Sequence, residues 1–480
     1  MEMTRRSLLG STAAAGAASL ASGMQPPTRR PNVVYIILDD LGMYDTGCYG
    51  SRQILTPNID RLAAAGAKFT EAYSGCTVCA PARSTLMTGM HMGHSSVRAN
   101  PGGVPLQASD FTIAEMLKKG GYDCGGFGKW GMGDLDTPGV PEKHGFDRFF
   151  GYYHQVHAHN YYPDYLIDTG RKTPLPGNRG FYSTKPPAGA FPDVDPVSGL
   201  RRQFSAQLIQ TEMLTWLRSR DVSKPFFLYA PWTIPHGSHE IPASDPAWVM
   251  YKDKPWSIDA RVHAAFVTMA DRFVGETLKA ISDLGQESNT IVMFSSDNGA
   301  AETYGESLDS GGKLRGKKTQ VYEGGIRIPL LARLPGRIRA GSTVGLPVYF
   351  PDVMPTVADL TGTRQHMPSG IDGRSFAPEV TGTRKLSRER EMYWEWNEDH
   401  FRLPYRVSKQ ACRRGRWKIV RHDATREWEL YDLSADPSES RDLASINPQV
   451  VADLDAWVRA NRADPPEQIE PAKPEGQRWR

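Results

Sequence analysis

The chain has 480 residues, 39% of them hydrophobic, with 46 glycines, 36 prolines and a formal net charge of only +3. That length suits roughly two or three domains with a large core, and the glycine and proline content predicts a loop-rich enzyme. The balanced charge leaves no nucleic-acid footprint, and no apolar stretch reaches the roughly 20 residues needed to span a bilayer.

In chain order, the first segment reads as a targeting signal. Thr4-Arg5-Arg6-Ser7-Leu8-Leu9 is a twin-arginine pattern, followed by a run of Ala, Gly, Ser and Leu to about Gly23. Its weak hydrophobicity suits twin-arginine export better than a membrane anchor, and Ser19 and Ala21 permit cleavage after Ala21. The protein is therefore expected in the periplasm or outside the cell, with the export machinery as a partner. An ordinary helical N-terminus carrying two arginines is the alternative; Pro26, Pro27 and Pro31 break the chain before the first strand.

Asn32 to Leu38 is a continuous β-branched and aliphatic run that ends at Asp39-Asp40, as in a buried parallel strand. Asn58 to Gly66 and Ala114 to Lys119 read as helices, and Tyr122 to Gly126 as a strand. Gln207 to Ser219 is an amphipathic helix, Pro225 to Pro231 a second buried strand, Ala260 to Leu284 a long helix, and Thr290 to Ser296 a third strand ending at Asp297-Asn298. Strands alternating with helices predict an α/β fold, a mostly parallel sheet sandwiched by helices, with ligands beyond the carboxyl ends of the strands. Leu346 to Gly362 still belongs to this unit. Beyond Arg374 the texture changes: Glu391 to Trp396, Arg416 to Val420 and Trp428 to Asp432 alternate like antiparallel strands, Val450 to Asn461 is helical, and the tail from Pro465 is proline-rich and charged. The expected division is residues 1–30 signal and linker, 31–373 catalytic unit, and 374–480 a small C-terminal antiparallel-sheet plus helix unit with an extended tail.

Asp39, Asp40, Asp297 and Asn298 offer four oxygen ligands at two strand ends, a donor set for a hard divalent cation. Helix capping explains one such pair; two pairs in one sheet point to a metal. The five cysteines are Cys48, Cys76, Cys79, Cys124 and Cys412. Export would permit disulfides, whose pairing sequence does not give, and the Cys76, Cys79 spacing has no second pair to complete a zinc site.

Cys79-Ala80-Pro81-Ala82-Arg83, followed by Thr88-Gly89, resembles the signature of the type I sulfatases of the alkaline phosphatase superfamily. The resemblance implies an alkaline-phosphatase-like fold, oxidation of Cys79 to formylglycine by a formylglycine-generating or radical maturation enzyme, and a calcium ion held by Asp39, Asp40, Asp297, Asn298 and residue 79. Gly128-Lys129-Trp130-Gly131 resembles the family segment whose lysine touches the sulfate, but Gly131 stands where the family has a histidine that helps expel sulfate. Gly151 to Pro163 offers His154, His157 and His159 as replacements, and the Ala158-His159-Asn160-Tyr161-Tyr162-Pro163 context favours His159 over a plain surface loop. His236 follows a buried strand and matches the family histidine that protonates the leaving oxygen; His239 is close by and unmatched. Lys318, four residues before Tyr322-Glu323-Gly324-Gly325, aligns with a sulfate-binding lysine, whereas Arg315 and Lys317 read as a solvated or structural face.

The implied catalytic set is Cys79, Arg83, Lys129, His159, His236 and Lys318. The implied activity is hydrolysis of a sulfate ester, the substrate a sulfated small molecule or glycan. Trp394, Trp396, Tyr161 and Tyr162 could stack on sugar faces, though aromatics in such numbers are more often core. A phosphate or phosphonate ester hydrolase on the same fold and an inactive glycan-binding homologue remain open.

Overall fold

The computed structural model describes residues 29–100, 104–178, 202–237, 240–397, 409–423 and 425–465. The expected signal segment, His239 and nearly all of the tail lie outside them.

Asn32–Leu38 has no charged residue and, after its first, no polar side chain but the Tyr35 hydroxyl; it lies near the middle of a ten-stranded sheet, as such a strand must if both its faces are covered. It pairs in parallel with Thr290–Ser296 on one side and Phe226–Pro231 on the other, and the parallel set continues through Asp123–Lys129 to Arg148–Tyr152. Short strands close both edges: Leu330–Arg333 runs antiparallel between Thr290–Ser296 and Ala67–Phe69, with Ser342–Val344 parallel to Ala67–Phe69 outside it; at the far edge Tyr165–Asp168 and Arg171–Pro174 are antiparallel. Alternate side chains of the central strand serve two cores. Val34, Ile36 and Leu38 pack with the helices Pro57–Ala64, Ser205–Arg218 and Ile258–Asp283, while Val33, Tyr35 and Ile37 pack with Cys79–Thr88, Ile113–Lys119 and Val353–Thr361. Glu391–Trp396, Lys409–Arg414, Trp417–Arg421 and Glu429–Asp432 form a separate antiparallel sheet, and the helix Pro448–Ala460 seals it with Leu454 and Val458. The α/β architecture, a mostly parallel sheet sandwiched by helices with a small C-terminal antiparallel sheet and helix, is thus the one expected.

The expected strand Tyr122 to Gly126 in fact runs Asp123–Lys129 and so delivers Lys129 to the sheet's carboxyl end. Its glycines hid it. A Cβ at Gly128, where φ is +141°, would lie 2.0 Å from the Pro231 carbonyl oxygen of the neighbouring strand, so only glycine lets the two backbones approach. Trp394 (0% exposed), Trp396 and the Tyr161–Tyr162 pair are core, which removes them as sugar platforms. The five cysteines are all free thiols.

Candidate active site

Register builds the site. Leu38 pairs with Ser296 at the end of two parallel strands, so Asp39-Asp40 and Asp297-Asn298 leave the sheet side by side. The Asp40 amide donates to Asp297 Oδ1 at 3.1 Å, and Asn298 Nδ2 donates to Asp40 Oδ1 at 2.8 Å. Asp40 takes up φ +68°, a left-handed conformation that aspartate tolerates better than most residues. Carboxylate oxygens of Asp39, Asp40 and Asp297 and the Cys79 Sγ all lie within 4.8 Å of one another.

Cys79 opens a ten-residue helix, Cys79–Thr88, every residue of which is buried. Pro81 is tolerated in its first turn, where no intrahelical donor is lost, and the Asn100 side chain caps it by accepting from the Ala80 amide at 2.9 Å. The helix thus aims its positive end at the site, a favourable place for an anion. Four residues on, Arg83 points back under Cys79. Its guanidinium donates to Asp297 Oδ2 through Nε and Nη2 at 3.1 and 2.8 Å, to Asp39 Oδ2 at 3.3 Å and to the Lys129 carbonyl at 2.6 Å.

Lys129 Nζ reaches Asp39 Oδ2 at 2.6 Å. Lys318 Nζ reaches Asp40 Oδ1 at 2.6 Å and Cys79 Sγ at 3.4 Å. Two backbone bonds set the Lys318 position: its amide to Ala300 O at 2.9 Å, and the Thr319 amide to Thr77 O at 3.1 Å. His236 follows the strand Phe226–Pro231, with Nε2 3.6 Å from Asp40 Oδ2. His159 stacks on it, with ring centroids 4.2 Å apart and planes inclined by 17°. Tyr161 makes that meeting possible. Its hydroxyl lies 3.0 Å from Thr233 O and 2.8 Å from His236 O, tying the two loops together. His154 and His157, in contrast to a surface loop, are buried in that same segment.

Cys79, Arg83, Lys129, His159, His236, Lys318 and the two acidic pairs therefore converge here, whereas Arg315 and Lys317 do not. Arg315 donates to Tyr431 Oη and Glu439 O, and Lys317 pairs with Glu302 at the surface. Gln155 was not foreseen. A Cβ on Gly131 (φ +80°) would lie 2.7 Å from Gln155 Oε1, so this fully buried amide occupies the space of a side chain at 131. Nothing in the local sequence marks it.

The electrostatics separate these groups. Burial alone would raise the Asp39 carboxyl, but Lys129, His236, Arg83 and Lys318 outweigh it and hold Asp39 well below the usual range. Burial, reinforced by Asp39, raises Asp297 to about 6. Burial pushes the Cys79 thiol up, with Asp297 and Asp39 adding to it, so this is no thiolate nucleophile. Burial keeps both His236 and His159 well below the ordinary imidazole value; His236 and the two lysines add to it at His159, Lys318, Lys129 and Arg83 add to it at His236, and Asp39 opposes at both. Lys318, despite burial, is raised by Asp40 and stays charged. The donor set also fits a hard cation: three carboxylates converge with Asn298 Oδ1, a buried oxygen that has no hydrogen-bond partner.

Comparison with known proteins accounts for this constellation. The family model described as Sulfatase matches residues 31–363, and one described as N-sulphoglucosamine sulphohydrolase, C-terminal, matches residues 316–462.

The chain belongs to the sulfatase family.

This sulfatase is 32% identical over 451 residues to arylsulfatase A of Homo sapiens, covering 91% of this chain and 83% of that one. It is 33% identical over 376 residues to N-acetylgalactosamine-6-sulfatase of Rattus norvegicus, covering 75% and 67%. Its fold superposes on the crystal structure of Ps i-CgsB in complex with a k-i-k-neocarrahexaose with a TM-score of 0.74 and 25% identity, covering 91% and 94%. The sulfatase is thus a sulfuric ester hydrolase of the alkaline phosphatase superfamily.

Proposed function

We propose that this sulfatase is exported through the twin-arginine route and hydrolyses sulfate esters of carbohydrates, using a formylglycine made from Cys79 and a calcium ion held by Asp39, Asp40, Asp297, Asn298 and residue 79. The observation that carries the reading is one buried cluster of three carboxylates, an unpartnered amide oxygen, a cysteine and three cations at the carboxyl end of a parallel sheet. The exported carbohydrate substrate is supported by the twin-arginine pattern and by the sugar-directed names of the relatives. The division at 373 and 374 into catalytic and C-terminal units belongs to the same reading.

When bound, calcium would neutralise sulfuryl oxygens, and hydrated formylglycine would supply a hydroxyl for attack and a second for release of sulfate. The remaining roles fall to side chains. Lys129 and Lys318 bind the sulfuryl oxygens; Arg83 holds Asp39 and Asp297 in place and adds positive charge beneath residue 79. Asp297, beside residue 79, accepts the proton of the attacking hydroxyl.

His236 and His159 divide the remaining proton work. After burial, Lys318 is the largest influence holding His236 neutral; a monoanionic ester bound between them offsets that charge and favours the imidazolium that protonates the departing alcohol. Two stacked rings do not both carry charge, so His159 stays neutral and serves as the base for sulfate release, replacing the histidine absent at Gly131.

The test is hydrolysis by mature protein of a small aryl sulfate, the matching aryl phosphate and a panel of sulfated sugars. Release of sulfate from at least one sugar, with the phosphate ester slower, is expected. Faster hydrolysis of the phosphate, or no turnover by protein whose residue 79 is modified, would overturn the proposal.

A further inference from the structure

We infer that a cavity on the far side of the catalytic helix is a second anion site, a groove that holds another stretch of a sulfated polysaccharide. The cavity, about 440 Å³, lies between the helix Val353–Thr361 and the segment 373–390. Arg364, Arg374, Arg384 and Arg390 converge on it from four stretches of chain, and Asp359 is the single acid among its lining residues. Asp359 is engaged by Arg364 at 3.3 Å. Arg390 is only 6% exposed; its Nη1 donates to both oxygens of buried Asp352 at 2.8 Å, while its Nε and Nη2 have no hydrogen-bond partner. Arg374 and Arg384 are exposed, and neither guanidinium forms an ion pair among the described residues; the Arg374 amide donates to Asp352 Oδ1 at 2.8 Å.

The cationic face continues past this cavity. Arg337 donates to Leu360 O at 2.8 Å, next to Asp359, and lines a neighbouring cavity of about 520 Å³ together with Arg339. A chain of net charge +3 that gathers these arginines around two acids, Asp352 and Asp359, has concentrated its positive charge locally. The fork of a guanidinium matches the oxygens of a sulfate, and arginine sheds its hydration more readily than lysine.

The groove is not a part of the reaction pocket. Gly373, in its lining, donates to the carbonyl of Gly89 at 3.1 Å, and Gly89 caps the helix that begins with Cys79. Ten residues at 1.5 Å each put about 15 Å of buried helix between the two. That end of the helix carries the negative pole, so anion binding there depends on the arginines. A polymer with many sulfates would be held by the groove while one ester occupies the active site, which raises the local concentration of further esters. The identity of the polyanion as a sulfated glycan rests on the carbohydrate reading above; the existence of the groove does not.

The test uses the full chain with dextran sulfate and unsulfated dextran as probes, in affinity electrophoresis at low and high salt. Wild-type protein should be retarded by dextran sulfate alone, and less so at high salt. The double variant Arg374→Glu, Arg384→Glu should bind it at least tenfold more weakly while its turnover of a small aryl sulfate is unchanged. Arg52→Glu, Arg171→Glu, an equal charge change at exposed arginines elsewhere, should bind as wild type. Equal retardation of wild type and the Arg374, Arg384 variant, equal loss in both variants, or no retardation of wild type would overturn the proposal. Absence of aryl sulfate turnover in all three proteins would instead count against the sulfatase mechanism and leave the retardation result to judge the groove.

Discussion

Gly131 decides where the second histidine of the site must come from. With φ +80° and Gln155 Oε1 placed 2.7 Å from any Cβ built there, the position resists a side chain on two separate grounds. His159 reaches the site from another loop by stacking on His236. Replacing His159 with alanine should therefore leave a rapid first turnover and slow the steady state, about 10²- to 10⁴-fold if it acts as a general base. Pre-steady-state kinetics with an aryl sulfate measures both phases; an unchanged steady state would remove the role. Adding Gly131→His to that variant should not restore the rate. Mass spectrometry of the peptide holding residue 79 should show an aldehyde in place of the thiol in active protein, and Cys79→Ala should abolish turnover. An active preparation with an intact thiol would refute formylglycine chemistry. Which residues meet was legible in the sequence, because each sits in a short pattern with fixed spacing. That Gln155 fills the space beside Gly131 was not, because an isolated glutamine carries no pattern and its place is set by packing.

Two elements beside the site are fastened by the C-terminal sheet and its helix. Lys418, in the strand Trp417–Arg421, is fully buried and pairs with Glu323 at 3.0 Å and Glu439 at 2.8 Å. Glu323 opens the short helix just after the Lys318 loop, and its amide donates to Glu439 Oε2 at 2.6 Å. Burial would raise both carboxyls; Lys418 overcomes it at Glu323, and the Glu323 charge keeps Glu439 up. Lys418→Met leaves two acids buried around an apolar side chain and should cost about 3–5 kcal/mol, read by denaturant unfolding. A loss below about 1 kcal/mol would show the pair to be replaceable.

The second fastening lies at the far end of the catalytic helix. There, His91 packs against Tyr393 and Trp457 and is lowered to about 4, by burial first, with His94 and Arg98 adding and Asp372 opposing. Unfolding restores its value to about 6.5, so between those values the unfolded chain binds more protons. Stability should then fall as pH drops from about 6.5 to 4, by at most ~1.4 kcal/mol per pH unit from this group. His91→Gln should flatten that part of a plot of melting temperature against pH, and an unchanged slope would exclude His91 as its source.

At the scale of the molecule, the central strands were legible and the edges were not. Asn32–Leu38 and Thr290–Ser296 are long apolar runs, as strands covered on both faces must be. Ala67–Phe69, Leu330–Arg333 and Ser342–Val344 have three or four residues each and take their strand identity from the neighbour they pair with. Lys409–Arg414 was also missed: it carries three cations in six residues and is held by partners on both sides. The catalytic helix lacked a readable period because it is buried all round. If calcium joins the two acidic strand ends, a chelator should lower both the melting temperature and the turnover, and added calcium should restore them. Turnover indifferent to chelation would exclude the ion.

The side-by-side exit of the two acidic strand ends also has a meaning in time. The hydrogen bond from Asn298 to Asp40 closes a separation of 258 residues, and that from Lys318 to Asp40 one of 278. Contacts so distant in sequence form late and slowly, and none can form before the chain beyond residue 298 has been made. Until then Cys79 has no wall around it; afterwards it is 0% exposed beneath Lys318 and Asp39. Any enzyme that alters residue 79 thus has a window that opens when the ribosome releases that stretch and closes with the sheet. A slower-closing variant would lengthen the window without touching a single atom of the motif.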